Sequence, residues 1–235
     1  MSKEEVEIAR RNASIRVLEF LDTARVVGLG TGSTVETFLR TAIDKLADKV
    51  LVASSIDTVI TARSLGLAVT DSISVDRLDI YIDSADEVDP LGRMVKGGGG
   101  AMTMEKILTS AATLRVFIID ELKLVPRVPY MKPIPVEVVP RALSIVKKKL
   151  EDMGFTCQLR IPQGKRAPVI SDLGGAIIDV SPPRGWEPET ISQTLDSVPG
   201  IVEHGLFIGY TDILVIGKLD GKVEVVTYRN IRARP

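Results

Sequence analysis

The sequence predicts an α/β fold, a Rossmann-like parallel sheet domain with a smaller inserted ferredoxin-like α+β domain. In the first half of the chain, short apolar segments alternate with helical patterns, which is typical of a parallel sheet covered by helices on both faces. A cluster of prolines at 125–140 then indicates a domain boundary. Beyond it, the order strand, helix, strand, strand, helix, strand is that of a ferredoxin-like domain.

In the first half, four predicted strands each lead into a polar or glycine-rich turn. A capping box formed by Ser2 and Glu5 begins a helix over 2–20 that precedes them. The strands and their turns are 25–30 with 31–34, 50–53 with 54–58, 78–82 with 83–87, and 114–119 with 120–123. Because ligands bind at the carboxyl ends of parallel strands, we expect these turns to form one site. The segment from Lys96 to Glu105 joins them only if its strand belongs to the same sheet.

The ferredoxin-like domain is predicted over 130–207, and residues 1–129 and 208–235 form the Rossmann-like domain. The elements of the smaller domain are strand 134–138, helix 141–152, strand 156–161, strand 175–180, helix 187–196 and strand 201–207. The chain then forms a hairpin, 213–219 and 222–228, for which Asp220 and Gly221 predict a type I′ turn. We expect this hairpin to return to the first sheet, so the smaller domain is an insertion.

Composition and charge limit the possible partners. The chain has 235 residues, of which 45% are hydrophobic and 26% charged, with a net charge of −1. This charge gives no global field for nucleic acid or an anionic membrane, and no apolar run approaches the roughly 20 residues of a membrane span. We expect neither partner. Cys157 is the only cysteine, which suits a reducing cytoplasm. His204 is the only histidine, which excludes histidine-rich metal sites.

A run of glycines, 97–100, lies between Lys96 and a predicted helix over 101–112 that carries Glu105 near its start. Glycines let a ligand approach the backbone closely, and a helix N-terminus favours negative charge. A carboxylate, an ammonium group and backbone amides so close in sequence suit removal of a proton from carbon and stabilisation of the resulting oxyanion. The alternatives are a flexible hinge for the glycines and a solvent-facing position for Glu105.

Three further segments are candidate binding sites. The segment 28–34 has the spacing G-x-G-x-G, which matches neither a dinucleotide loop nor a P-loop. Its hydroxyls and helix N-terminus suit a single phosphate group, and the alternative is a capped tight turn. The acids at 83–89 suit sugar hydroxyls or form a solvated loop, since they lack the spacing of a calcium loop. Lys123 is a surface lysine unless its position after a strand brings it to the site.

Taken together, these segments resemble the type A family of ribose-5-phosphate isomerases. Seven segments carry the resemblance in order, namely 27–34, 54–58, 83–89, 94–106, 120–123, 133–138 and 199–207. The resemblance implies an aldose–ketose isomerase that interconverts D-ribose 5-phosphate and D-ribulose 5-phosphate through an enediolate, in the non-oxidative pentose phosphate pathway. It implies no metal, no organic cofactor, a small-molecule sugar phosphate as partner, and a homodimer or homotetramer.

The resemblance also implies roles for individual residues. Glu105 matches the catalytic base, and Asp83, Asp86 and Lys96 match other catalytic positions. The substrate-binding positions that it implies are Thr31, Gly32, Ser33, Thr34, Asp83, Ser84, Ala85, Asp86, Lys96, Gly97, Gly98, Gly99 and Lys123. Two residues depart from the family pattern, since Ser84 replaces a glycine and Met104 replaces the charged residue before the base.

Two other functions stay open. An isomerase/deaminase of amino-sugar phosphates would keep the fold, although such enzymes commonly use histidine in ring opening and this chain has a single histidine. A sugar-phosphate sensor would keep the phosphate turn. It needs no pairing of Lys96 with Glu105, and it usually carries a DNA-binding segment, for which neither the net charge nor an N-terminal helix-turn-helix gives evidence.

Overall fold

The structure, a computed structural model, describes residues 2–164 and 166–228 of an α/β chain with two compact units. The helices are α1 (Lys3–Val17), α2 (Ser33–Thr41), α3 (Ile43–Leu46), α4 (Ile56–Ser64), α5 (Met102–Ala111), α6 (Leu143–Asp152) and α7 (Pro188–Asp196). The strands are β1 (Val26–Leu29), β2 (Val50–Ala53), β3 (Val69–Thr70), β4 (Leu78–Asp83), β5 (Glu87–Val88), β6 (Met94–Val95), β7 (Ala112–Asp120), β8 (Ile134–Val138), β9 (Thr156–Leu159), β10 (Ala176–Ser181), β11 (Ile201–His204), β12 (Leu206–Phe207), β13 (Ile213–Gly217) and β14 (Val223–Thr227). Among the described residues, no helix is both long enough and apolar enough to cross a bilayer.

The first unit contains the residues up to Ala85, Met104–Leu124 and the residues from Gly209 onward. Its sheet has the strand order β14-β13-β7-β4-β1-β2-β3. β14 runs antiparallel to β13, and the other described pairings are parallel. β13 is buried along its length and β7 is buried from Arg115 to Asp120, as expected for a sheet covered on both faces. The predicted Rossmann-like parallel sheet is therefore confirmed.

Helix α1 begins with the predicted capping box and packs on this sheet. The Glu5 amide donates to the Ser2 hydroxyl at 3.2 Å, and the Ser2 amide donates to the Glu5 carboxylate at 2.7 Å. Ala9 and Ala13 are fully buried. At Gly217 of β13, a Cβ atom would lie 2.0 Å from the Ala9 carbonyl oxygen, so a glycine there allows the helix to approach the strand closely.

The second unit contains Asp86–Thr103 and Val125–Ile208. Its larger sheet has the order β11-β8-β10-β9 with antiparallel pairings, which is the strand order of a ferredoxin-like domain. Residues of α6 and α7 pack against this sheet in one core, which includes Val136, Val146, Leu150, Ile178, Ile191 and Leu195. The predicted ferredoxin-like arrangement is confirmed.

A small sheet of order β12-β6-β5 also lies in the second unit, and the sequence pattern did not predict it. The predicted boundaries kept 86–103 in the first domain, whereas the structure groups these residues with 125–208. The cause is strand pairing, since β6 pairs with both β5 and β12. The strand predicted over 201–207 is accordingly divided between two sheets, with a break at Gly205.

The hairpin of β13 and β14 returns to the first sheet as predicted, because β13 pairs in parallel with β7. The predicted type I′ turn is wrong. That turn needs a positive φ at both central residues, and among the described residues only glycines have one. The Gly221 amide donates to the Lys218 carbonyl at 3.0 Å, and the Lys218 amide donates to the Lys222 carbonyl at 2.8 Å. The loop therefore has three residues, with Gly221 in the left-handed region (φ 85°).

Candidate active site

The carboxyl ends of β1, β2, β4 and β7 lie at one edge of the parallel sheet in the first unit. Leu29 at the end of β1 is in register with Ala53 of β2 and with Ile82 of β4. Asp83, the next residue of β4, is in register with Phe117 of β7. The segments that follow β1, β2 and β4 therefore start next to one another, whereas β7 continues to Asp120. The contacts described below join all four segments, as predicted.

Asp83 is fully buried at the centre of this edge. Its Oδ2 accepts a hydrogen bond from the Tyr81 hydroxyl at 2.6 Å, and its Oδ1 accepts from the amides of Ser84 at 2.7 Å and Thr31 at 3.3 Å. A Cβ atom on Gly30 would lie 1.8 Å from the Asp83 carboxyl carbon. Only a glycine at residue 30 leaves room for this carboxylate.

Tyr81 connects Asp83 electrostatically with Glu105. Burial raises the pKa of the Tyr81 hydroxyl well above its ordinary value, and the negative charges of Asp83 and Glu105 raise it further. The hydroxyl therefore stays protonated and donates to Asp83. Glu105, in α5, belongs to the same unit. Its exposed fraction is 2%, so the alternative of a solvent-facing glutamate is wrong.

Sequence reasoning missed Tyr81 because it lies within an apolar strand and looks like a core residue. A signal was present in the spacing. Residues two apart in a strand project from the same face of the sheet, so Tyr81 is placed to reach the carboxylate of Asp83.

The turn after β1 leads into the N-terminus of α2. Gly32 is the residue before the helix and has a φ of 99°, a conformation that favours glycine. Thr31 accepts a hydrogen bond from the Ser55 hydroxyl at 2.9 Å. The Thr34 hydroxyl is buried and has no hydrogen-bond partner among the described residues. A helix N-terminus lined with hydroxyls is suited to bind one phosphate group.

Two cations lie at this edge. Arg10 of α1 donates from Nη1 to the Ser33 hydroxyl at 3.1 Å and from Nε to Asp120 at 3.0 Å. Lys123 donates from Nζ to the Ser84 hydroxyl at 2.9 Å. Ser84, which replaces a glycine of the family pattern, therefore holds Lys123, a predicted binding residue. Arg10 was not predicted, because its helix position far from the turn gives no local signal.

The glycine turn, residues 97–100, belongs to the second unit. Gly97 and Gly100 have φ values of 95° and 81°, and the Gly100 amide donates to the Gly97 carbonyl at 2.9 Å. The Gly98 amide donates to Oδ2 of Asp86 at 2.9 Å. These hydrogen bonds define one conformation, so the turn is not the flexible hinge that the glycines alone left open.

Lys96 precedes the glycine turn, and its exposed fraction is 3%. Its amide donates to the Gly205 carbonyl at 2.8 Å, and its ammonium lies 5.7 Å from the centre of the Phe207 ring, within the range of a cation–π contact. Because β6 belongs to the small sheet, the segment from Lys96 does not follow a strand of the parallel sheet. This segment was expected beside the sheet-edge turns only if its strand belonged to the parallel sheet, and β6 does not belong to it.

The predicted site residues therefore divide between the two units. The first unit holds Thr31, Gly32, Ser33, Thr34, Asp83, Ser84, Ala85, Glu105 and Lys123. The second unit holds Asp86, Lys96, Gly97, Gly98 and Gly99. Direct hydrogen bonds join Thr31 to Asp83 and Ser84 to Lys123 in the first group, and Asp86 to Gly98 in the second.

Among the described residues, one group has the spacing of metal ligands, namely Asp196, Glu203 and His204. The Nδ1 atom of His204 accepts the Leu206 amide at 3.2 Å, so the neutral ring carries its proton on Nε2. Nε2 lies 3.2 Å from Oδ1 of Asp196. A nitrogen that holds a proton is not available to a metal, so this ring serves hydrogen bonding within the second unit.

The fold and the sheet edge define an α/β protein in which a helix N-terminus lined with hydroxyls lies beside the buried carboxylate of Asp83. The chain belongs to the ribose 5-phosphate isomerase A (phosphoriboisomerase A) family, whose model matches residues 50–221. It is similar to ribose-5-phosphate isomerase A of Aeropyrum pernix, with 43% identity over 82% of each chain.

Solved structures agree with this membership. One is a D-ribose-5-phosphate isomerase in complex with phospho-erythronic acid, 34% identical, with a TM-score of 0.89 over 97% of this chain and 100% of that one. Another is ribose 5-phosphate isomerase A of Methanocaldococcus jannaschii, 31% identical, with a TM-score of 0.86 over 96% of this chain and 100% of that one. The resemblance seen in the sequence is confirmed.

The Tyr81→Phe substitution tests the buried contact with Asp83. Removing the hydroxyl leaves a buried carboxylate oxygen without this donor, which we expect to lower the free energy of unfolding by about 1–3 kcal/mol. Denaturant unfolding measures the change. Tyr130→Phe is the control, because Tyr130 is 62% exposed. Equal stability of the two variants would show that the Tyr81 hydroxyl contributes nothing to the site.

Proposed function

We propose that this protein interconverts D-ribose 5-phosphate and D-ribulose 5-phosphate, the aldose–ketose isomerisation of the non-oxidative pentose phosphate pathway. Family membership supports the proposal, as does the similarity to an isomerase that binds phospho-erythronic acid. The observation that carries it is the burial of Glu105 in the same unit as the buried, hydrogen-bonded pair of Tyr81 and Asp83. Isomerisation through an enediolate needs a base of this kind, held in a fixed position and shielded from bulk water.

The substrate phosphate binds at the turn 31–34. The N-terminus of α2 carries a partial positive charge, and the Ser33 and Thr34 hydroxyls offer hydrogen bonds. Arg10 holds the Ser33 hydroxyl with a cation that is also paired with Asp120. Lys123 supplies a second cation at the same sheet edge. These local charges attract the phosphate although the whole chain has a net charge of −1.

Glu105 transfers the proton between carbons. It removes the proton from C2 of the open-chain aldose and returns it to C1, and a cis-enediolate is the intermediate. A proton also moves from the oxygen on C2 to the oxygen on C1, so the carbonyl group changes position without net oxidation. Asp83 and Asp86 relay this proton between the two oxygens and assist ring opening. The scheme uses no metal and no organic cofactor.

Lys96 and the amides of Gly97 and Gly99 stabilise the oxyanion of the enediolate, and the Gly98 amide holds Asp86. Fixed donors of this kind contribute roughly 10²–10³-fold each to the rate, and a positioned base contributes roughly 10²–10⁴-fold. Ser84 contributes to binding by holding Lys123, and Ala85 and Gly32 contribute backbone groups. The proposal also includes a cytoplasmic homodimer or homotetramer, and a single cysteine in the chain fits that reducing compartment.

Coupled assays with ribose 5-phosphate and with glucosamine 6-phosphate test the proposed reaction. We expect turnover of ribose 5-phosphate and no reaction with the amino sugar. Release of ammonia from glucosamine 6-phosphate would instead indicate an isomerase/deaminase. Binding of ribose 5-phosphate without turnover would indicate a sugar-phosphate sensor.

Glu105→Gln tests the assignment of the base. Glutamine keeps the size and shape of the side chain but cannot take up the proton, so we expect kcat to fall at least about 10²-fold, with KM changed only a few-fold. Steady-state kinetics measures both parameters. Glu151→Gln on the exposed face of α6 is the control. Turnover near that of the unsubstituted protein would remove Glu105 from the mechanism.

A further inference from the structure

Arg160, which follows β9 in the second unit, contacts the glycine turn. Its Nη1 donates to the carbonyl oxygens of Gly97 at 2.9 Å and Gly98 at 3.0 Å. The same guanidinium forms a two-point ion pair with Asp179 of β10, with Nε 2.9 Å from Oδ2 and Nη2 bonded to Oδ1. One side chain thus links the ferredoxin-like sheet to the backbone of the turn.

These contacts fix the direction in which the next two amides point. In a planar trans peptide, the carbonyl and the following N–H point in opposite directions. Since Arg160 holds the carbonyls of Gly97 and Gly98, the N–H groups of Gly98 and Gly99 point away from the guanidinium. The Gly98 N–H accordingly reaches Oδ2 of Asp86 at 2.9 Å.

The Gly99 amide is available to donate a hydrogen bond to a ligand. Gly99 is exposed, and its N–H donates to no atom of the described residues. A glycine run without external contacts would populate many backbone conformations. The ion pair with Asp179 leaves the guanidinium of Arg160 few alternative positions, so the direction of the Gly99 N–H is set before any ligand arrives.

We propose that Arg160, held by Asp179, is a positioning residue that orients the Gly99 amide toward the oxyanion of the enediolate and keeps the Gly98 amide on Asp86. Donors fixed in advance need no reorganisation when charge develops. Because Arg160 and Asp179 neutralise each other, their contribution is orientation without added net charge. This inference rests on the proposed function, since it takes the glycine turn as the oxyanion-binding element.

A matched pair of substitutions, Arg160→Lys and Arg115→Lys, separates this role from a purely structural one. Arg115 in the first unit forms the same kind of two-point pair with Asp212 and donates from Nη1 to the Gly209 carbonyl. In both variants lysine keeps the positive charge but cannot bind the carboxylate at two points and also hold the carbonyl groups.

We expect Arg160→Lys to lower kcat by about tenfold to a hundredfold, with KM within about threefold, because the misplaced amides act mainly in the transition state. Arg115→Lys should lower the melting temperature and leave kcat within about twofold. Steady-state kinetics and thermal unfolding of the full chain measure both.

Phospho-erythronic acid, the ligand of a similar solved isomerase, gives a second readout. Its carboxylate carries negative charge as the enediolate does, so the inhibition constant should rise in Arg160→Lys by about the factor by which kcat/KM falls. Arg115→Lys should bind this inhibitor as the unsubstituted protein does. An unchanged inhibition constant in Arg160→Lys would overturn the proposal.

If Arg160→Lys does not fold, Asp179→Asn replaces it in the same assays. This variant keeps Arg160 but weakens the ion pair that orients it, and we expect a smaller loss of kcat in the same direction. An unsubstituted protein without turnover of ribose 5-phosphate would refute the proposed function. If the unsubstituted protein is active but Arg160→Lys or Asp179→Asn has the same kcat and inhibitor affinity as Arg115→Lys, the role of Arg160 is refuted and the proposed function is not.

Discussion

The approach of the Asp83 carboxylate to the backbone of Gly30 is the contact on which the sheet edge depends. A side chain at residue 30 would occupy the position of that carboxylate, and Thr31 would lose the acceptor of its amide. The contact arises because parallel strands β1 and β4 end side by side. The same carboxylate is held by Tyr81, so the turn after β1 and the strand β4 are fixed together.

The two units present polar groups in different ways. At the edge of the parallel sheet, side chains from the segments that follow neighbouring strands meet, as Lys123 and Ser84 do. In the second unit, side chains hold the backbone of the glycine turn from outside. Arg160 donates to two carbonyl groups of the glycine turn, and Asp86 accepts a hydrogen bond from one amide. These contacts give a segment without side chains a defined conformation.

Much of the fold could be predicted because its signals are local, whereas several contacts could not. The parallel sheet and the ferredoxin-like order follow from apolar periods that are continuous in sequence. The small sheet was missed because β5, β6 and β12 have two residues each, too few for a pattern. The Asp220–Gly221 pair suits a two-residue and a three-residue loop equally, which explains the wrong turn type. Arg160 was missed because its partners in the glycine turn are 62 and 63 residues away.

Isomerisation of ribose 5-phosphate in heavy water tests most directly the claim that Glu105 moves a proton from C2 to C1. A carboxyl group that carries the proton between carbons can exchange it with solvent during turnover. We expect deuterium at C1 of the ribulose 5-phosphate formed, detected by NMR or mass spectrometry, and formation of this product at least about 10²-fold slower with Glu105→Gln. Product without deuterium, formed at the full rate by Glu105→Gln as well, would indicate direct hydride transfer between the two carbons and would contradict the proposed role of Glu105.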